Sequence, residues 1–409
     1  VAVLYGVFSG LFAGRTLGLL RLARPPARHR HPDPSHHRLK ESAMILSQRL
    51  KYLLSCTAAV LTTLTSPLAM TTAQAQTGLA EMRAGALPFN LVYPTAVTNR
   101  AVTQGPFTLQ VAPDATPQRG NGRLVVLSHG TGGSLQPDMD LAQALVRAGF
   151  VVAVPLHQGD NFRDMSAAGP KSFEKRPLEV LEVINTLSRT TPWSGLLQFD
   201  RVGVHGMSAG GTSGLQLAGA QWTMLTMIRH CNANLDADAG FCFNGATDPA
   251  KRAERAASYA RARNVPEFFL PSELKTLHGG RTPTPQATDP RPDARIAAVT
   301  LAVPVSAIFT PESLARIRIP VGLVTASADQ VLVPQFHSEY VLTHCKSCTR
   351  LMELGQAGHF DVLSPWPASV AADVAQSQVR GGQPTPGFDA RRRDEAHQRI
   401  VDFHRKHLL

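Results

Sequence analysis

The sequence predicts an α/β fold, a mainly parallel twisted sheet flanked by helices. Three observations predict it. Short runs such as Leu124-Val125-Val126-Leu127 and Phe150-Val151-Val152-Ala153-Val154 are apolar at every position, as strands covered on both faces are. These runs alternate with segments of helical periodicity at the spacing of βαβ units. One junction, Gly206-Met207-Ser208-Ala209-Gly210, sets a serine between a short apolar run and a small-residue run.

The elements follow in order. Leu87 to Pro94 and Phe107 to Val111 read as short strands separated by turn residues, and 112–122 as a Pro/Gly/Asn loop. Arg123 to Ser128 is a buried strand, broken by the glycines that follow. Asp138 to Ala148 is helical, with Leu141, Ala144 and Leu145 on one face, and 150–154 is the next strand. Residues 155–176 read as a long polar loop. Pro177 then opens a helix carrying Leu178, Leu181, Ile184 and Leu187, proline being favoured in a first turn. Arg201 to His205 is the strand before the serine. After the helix that follows Ser208 the pattern stops. Residues 221–295 are long and polar, and they read as a lid or cap inserted over one face, with Phe241, Phe243, Phe268 and Phe269 as its apolar side or its own core. Strands return at 296–305, 319–326 and 350–354. A helix at 393–407, with Ile400, Phe403 and His404 on one face, closes the chain. No internal repeat is visible.

The 409 residues suffice for one large domain, and 43% hydrophobic with 17% charged residues is a globular composition. The net charge of +11 is concentrated at the start. Residues 1–75 hold nine Lys/Arg against two Asp/Glu, and the rest of the chain carries 32 basic and 28 acidic groups. The basic pI therefore indicates neither a nucleic-acid partner nor a charged membrane surface. Residues 44–75 have the layout of a secretory signal: Met44, then Arg49 and Lys51, then an apolar stretch from Tyr52 to Leu64, then Ala73-Gln74-Ala75 before Gln76. A lipoprotein reading at Leu53-Leu54-Ser55-Cys56 is weaker, because the charges of Arg49 and Lys51 interrupt it. Residues 1–43 hold a short apolar run and a basic, Pro- and His-rich run. They are expected to be an upstream extension or a disordered leader, with His29, His31, His36 and His37 part of its low complexity. The expected domain is 76–409, periplasmic or secreted, with no stable membrane insertion of the mature form. Oligomeric state is not legible.

Four cysteines remain beyond Cys56. An even count in an exported chain suggests two disulfides, and three pairings are open. The local one, Cys231–Cys242 with Cys345–Cys348, is preferred because both loops are short. Cys345-Lys346-Ser347-Cys348 also has a redox C-x-x-C spacing, but no thioredoxin-like pattern surrounds it. No second Cys/His pair stands at a zinc spacing, so no metal and no cofactor is expected.

A serine on a tight strand–helix turn is presented to solvent, and small neighbours let strand and helix pack closely. Such a nucleophile needs a base, a group to hold the base, and donors for the oxyanion. His359, in Gly358-His359-Phe360 after the last strand, is the expected base. Asp329 is the only acid in the loop after Val321 to Ala326, and is expected to hold His359. Asp361 stands too close in sequence to do so. The oxyanion donors are expected from the N–H of Ala209 and of Thr131 in His129-Gly130-Thr131-Gly132-Gly133, with Gly132 as the alternative. His129, Gly132, Asp160 and Met207 are expected near the substrate, with a structural role for His129 also open. For Asp160 and Asn161 a turn-capping role is equally open.

With these residues in hand, the chain from about Leu87 onward resembles the α/β-hydrolase superfamily, whose triads run Ser, Asp, His in chain order. More narrowly it is similar to the predicted dienelactone-hydrolase-like group related to platelet-activating-factor acetylhydrolases. The likeness rests on Ser128-His129-Gly130-Thr131-Gly132-Gly133, on Gly149 to Pro155, on His157-Gln158-Gly159-Asp160-Asn161, and on Gly206 to Gly211. It departs from dienelactone hydrolases in having Ser208 where they use cysteine. It departs from the acetylhydrolases in ending the strand after the nucleophile helix with Leu301-Ala302-Val303-Pro304, without a carboxylate. The resemblance implies a cofactor-free serine hydrolase acting on a small-molecule ester. An amidase or acyltransferase on the same residues, or a non-catalytic binding protein on the scaffold, are the alternatives.

Overall fold

In the computed structural model, residues 76–262, 292–369, 371 and 384–409 are described. The leader, the expected signal segment, and Phe268 and Phe269 of the expected lid lie outside them.

Two hairpins open the fold. β1 (Gln76–Ala84) and β2 (Leu87–Thr95) pair antiparallel. β3 (Arg100–Gln104) and β4 (Phe107–Pro113) do the same. Gly85 and Gly105 each stand at φ 57°, the left-handed conformation that a two-residue hairpin loop demands. β1 was not expected, because its alternating pattern adjoins the predicted cleavage point.

The parallel part follows: β5 (Leu124–Ser128), α1 (Met139–Arg147), β6 (Val151–Pro155), α2 (Pro170–Leu187), α3 (Trp193–Leu196), β7 (Val202–Met207) and α4 (Ala209–Leu217). Then come α5 (Met224–Asn234), α6 (Ala239–Cys242), α7 (Pro249–Ala262), β8 (Ile296–Ala302), α8 (Pro311–Leu314), β9 (Val321–Ala326), α9 (Ser338–His344), β10 (Cys348–Leu354) and a C-terminal helix, Arg391–Leu408. The ten strands are ordered β10-β9-β8-β7-β5-β6-β2-β1-β4-β3. From β6 to β10 every pair is parallel, and β2 joins β6 antiparallel. Every residue of β5, β6, β7 and β9 is buried, which is why these strands read as unbroken apolar runs.

The core has two halves, one on each face of the sheet. Leu124, Val126 and Val204 pack with Val180 and Ile184 of α2 and Leu215 of α4. Val125, Leu127 and Val152 pack with Leu141 and Leu145 of α1 and Ile400 and Phe403 of the C-terminal helix. Each fully buried Val or Leu contributes about 1.5–3 kcal/mol, so the covered strands stabilise the frame that carries the loops at their ends.

Two expectations are corrected. The helix expected from Pro177 begins at Pro170, so the loop before it is 156–169, and Pro177 lies inside the helix. A proline there removes the N–H that Phe173 would accept; the side-chain amide of Gln216 donates to that carbonyl instead, at 2.8 Å. The buried face carries Phe173, Arg176, Val180, Val183 and Ile184, while Leu178 is 58% exposed. The start of the expected lid is also core. Trp222, Met224, Ile228 and the Cys231–Cys242 disulfide are buried, and Trp222 bridges to Phe309. Its aromatics serve that packing: Phe241 packs against the core, and Arg252 lies 4.1 Å above the Phe243 ring.

The chain leaves β5 for β6 on one side and returns to β7 on the other. Strand order reverses there, and in parallel sheets the crevice at the carboxyl ends of such strands holds ligands. Ser208 follows β7, His129 follows β5, Asp329 follows β9 and His359 follows β10, all at that edge.

Candidate active site

β7 ends at Met207, and the chain turns at once into α4. Ser208, at the turn, has φ 54° and ψ −115°, a conformation L-residues rarely hold. Close packing holds it there. A Cβ on Gly206 would stand 2.1 Å from the carbonyl oxygen of Gly210, and one on Gly210 would stand 1.8 Å from that of Ser128. Both obstacles are backbone. The Ser208 N–H donates to Ala302 (3.0 Å), and its carbonyl accepts from Val305 (3.0 Å). Between those two anchors Val303 has φ 41°, so the strand end that brackets the serine is itself strained.

His359 reaches the serine from the loop after β10. The Ser208 hydroxyl donates to His359 Nε2 at 3.0 Å, and His359 Nδ1–H donates to Asp329 Oδ2 at 2.7 Å. The Asp329 contact sets the tautomer that leaves the Nε2 lone pair facing the serine. The other Asp329 oxygen accepts from the N–H groups of Val331 and Leu332, which aims the carboxylate. Ser208, Asp329 and His359 are 9%, 4% and 4% exposed, so the chain of hydrogen bonds lies in a low-dielectric setting. Asp361 shapes the histidine loop by accepting from the N–H groups of Gly358 and Thr385. The acid loop is braced as well. Buried Asp238 takes hydrogen bonds from His230, His337 and the N–H of Val333. Burial alone would raise its pKa, but the two histidines outweigh burial and hold it at about 2.

The loop after β5 lies against the serine. A Cβ on Gly130 would stand 2.9 Å from the Met207 sulfur and 3.5 Å from Ser208 Cβ. Ala209 is the first residue of α4, so its N–H has no partner within the helix. The Thr131 N–H has no hydrogen-bond partner among the described residues, and Thr131 is exposed. Gly132 is corrected as the alternative donor: its N–H already donates to Asp160 Oδ1 at 3.0 Å.

Three residues expected near the substrate face inward instead. Asp160 is fully buried in an ion pair with Arg176, at 2.8 Å. His129 is 1% exposed; its Nδ1–H donates to Gly130 at 2.7 Å, and its Nε2 accepts from the His157 N–H at 3.4 Å. Met207 is 2% exposed and packs in the core. Asn161 caps the turn it occupies, accepting from Arg163 and Asp164.

A second serine–histidine–acid chain lies beneath this loop. Ser128 donates to His157 Nε2 (2.8 Å), and His157 Nδ1–H donates to Glu179 (2.7 Å). Ser128 and His157 are wholly buried, so this serine is out of reach of any substrate. Burial, and next to it the Arg176 charge, holds the His157 pKa well below its ordinary value, and the ring is neutral. Sequence reasoning missed Arg176 and Glu179. Placing Arg176 in a loop hid the signal, which is two charges three residues apart on an inward helix face.

The cysteines pair locally, Cys231 with Cys242 and Cys345 with Cys348. Among the described residues one group of metal-ligating atoms converges, His230 with Cys231 and Cys242, and both its sulfurs are in the disulfide. No described helix is long and apolar enough to cross a membrane.

No family model matches the chain, and no curated protein does. Among solved structures, it is similar to a ferulic acid esterase from Streptomyces cinnamoneus, with 17% identity and TM-score 0.47 over 82% of this chain and 91% of that one. It is also similar to a dienelactone hydrolase from Anabaena variabilis, with 14% identity and TM-score 0.40 over 82% of this chain and 100% of that one. The strand order, the antiparallel second strand and the serine turn between β7 and α4 are those of the α/β-hydrolase fold, and that is the fold of this chain.

Proposed function

We propose that this protein is an exported serine hydrolase that cleaves carboxylic esters through Ser208, His359 and Asp329. The observation that carries the reading is the unbroken hydrogen-bond chain from Ser208 through His359 to Asp329, beginning at a serine held at positive φ on the turn. Ser208 attacks the ester carbonyl while His359 takes its proton. The imidazolium so formed is stabilised by Asp329 and protonates the leaving alcohol. The oxyanion is held by the N–H groups of Thr131 and Ala209, at the positive end of α4. Water, activated by His359, then releases the acid. His129, Asp160 and Met207 serve as supports of this site rather than as substrate contacts. The paired cysteines support export to an oxidising compartment.

The test is hydrolysis of short- and medium-chain nitrophenyl esters by the protein and by Ser208→Ala. Turnover is expected in the wild type, with a loss on the order of 10⁶-fold in the variant. Turnover that survives in the variant refutes the nucleophile. If the wild type is inert to esters but cleaves the matching anilides, the amidase reading replaces this one. If it is inert to both and unlabelled by a fluorophosphonate, a binding role does.

A further inference from the structure

We infer that Arg176 and Asp160 are positioning residues that aim the Thr131 N–H at the oxyanion, an inference that rests on the reading of Ser208 as nucleophile. Neither residue has access to substrate, since both are fully buried. Together they grip residues 129–132 from below. Arg176 Nη1 donates to the His129 carbonyl, and Nη2 donates to the Gly130 carbonyl at 3.2 Å. Its Nε and Nη2 also donate to Asp160 Oδ2, at 3.2 and 2.8 Å. The remaining Asp160 oxygen accepts the Gly132 N–H.

Peptide geometry turns this grip into aim. In a planar trans peptide the carbonyl and the N–H point in opposite directions. The Gly130 carbonyl and the Thr131 N–H share one peptide unit. That carbonyl is drawn inward by Arg176, by the His129 ring N–H at 2.7 Å and by the Gly133 N–H at 3.1 Å. The Thr131 N–H is therefore driven outward, away from the guanidinium. The next peptide is fixed at its other end, because the Gly132 N–H is held by Asp160. Thr131 is thus gripped on both sides while its N–H keeps no partner among the described residues, the arrangement a pre-set oxyanion site needs.

Helix α2 supplies the foundation. Glu179, one turn beyond Arg176, accepts from His157 Nδ1–H and from the Gln158 N–H at 3.1 Å. That bond orients His157, whose own N–H donates to the His129 ring. A buried ion pair is a poor source of stability compared with packed apolar groups, because both charges must be desolvated. What the pair supplies here is direction for three backbone groups.

The experiment compares Asp160→Asn and Arg176→Lys with wild type and with Leu178→Ala, a control at an exposed site on the same helix. Asp160→Asn keeps an acceptor near the Gly132 N–H but loses the charge that holds Arg176. Folding is checked by thermal melting and near-UV circular dichroism. The readouts are kcat and KM on a nitrophenyl ester and on its thiono analogue, whose sulfur accepts hydrogen bonds poorly. We expect kcat to fall about 10- to 100-fold in Asp160→Asn, with KM within about twofold. The preference for the oxygen ester is expected to shrink by a similar factor, and Leu178→Ala to match wild type. Should Arg176→Lys not fold, Asp160→Asn carries the test alone. Folded variants with wild-type kcat overturn the inference. So does a loss of kcat with the oxygen-over-sulfur preference unchanged, which marks a purely structural role. A wild type that neither hydrolyses esters nor labels at Ser208 overturns the nucleophile reading, and this inference with it.

Discussion

Asp138→Asn is expected to stabilise the protein at neutral and alkaline pH and to do little for it in acid. Asp138 precedes α1, is 5% exposed, and makes no capping bond to the helix. Its carboxyl borders a small cavity with Arg393 and His397 of the C-terminal helix and His205 and Met207 of β7. Burial raises its pKa from the ordinary 3.8 to about 7. In the unfolded chain the group ionises near the ordinary value, while the native protein keeps its proton about three pH units higher. Between those values the native state binds more protons, so stability falls as pH rises through the window. At about 1.4 kcal/mol per unit, the loss accumulates to about 4 kcal/mol by pH 7 and then levels off. Asparagine keeps the shape and removes the ionisation. The assay is urea unfolding of both proteins at pH 4, 5.5, 7 and 8.5. All other titrating groups are shared, so the difference isolates Asp138. The expected gain of the variant grows by about 4 kcal/mol from pH 4 to 8.5, roughly half of it by pH 5.5. A difference flat to within about 1 kcal/mol, or one that shrinks as pH rises, refutes the reasoning.

Gly210→Ala is expected to cost about 3 kcal/mol or more and to lower kcat at least about 100-fold, because its methyl would overlap the fixed Ser128 carbonyl and push α4 off the serine turn. Gly195→Ala, where no atom lies within 4 Å, is the control expected to leave melting temperature and activity unchanged. Removing the Cys231–Cys242 bond by double alanine substitution is expected to cost about 3 kcal/mol in urea unfolding and to lower kcat severalfold. The activity loss follows from α6, where Gly240 abuts the Gln330 and Val331 backbone beside Asp329. The same change at Cys345–Cys348, at the start of β10 and so at the end of the strand away from His359, is expected to spare kcat.

Much of the frame was legible in the chain. Runs such as Val151–Val154 are apolar throughout because they are covered on both faces, and that condition leaves its mark residue by residue. The serine turn was legible for a related reason: Gly206 and Gly210 face backbone at distances no side chain tolerates, so the requirement is local and written as glycine. Asp329 and His359 were found by their places after particular strands, and the fold brings both to Ser208. Other elements left weaker marks. The first turns of α2 were missed because Lys171, Glu174 and Lys175 look like a solvated loop and Pro177 looks like a beginning. Residues 221–243 read as a cover because they stand at the head of a long polar stretch, yet Trp222 and Met224 are buried.

The sequence by itself determined the strands other than β1 and β3, which serine sits on the turn, and which acid and histidine follow the right strands. These depend on patterns a few residues long. Only the tertiary structure decided what lies beneath the site. It set Asp160, His129 and Met207 inside rather than at the substrate, joined Arg176 to carbonyls 46 and 47 positions earlier, and closed the chain from Ser128 to Glu179. Charged side chains that pair in a buried, low-dielectric interior are written with the same letters as charges in water. Their meaning comes from which distant groups share that interior, and the packing of the whole sheet and its helices decides it.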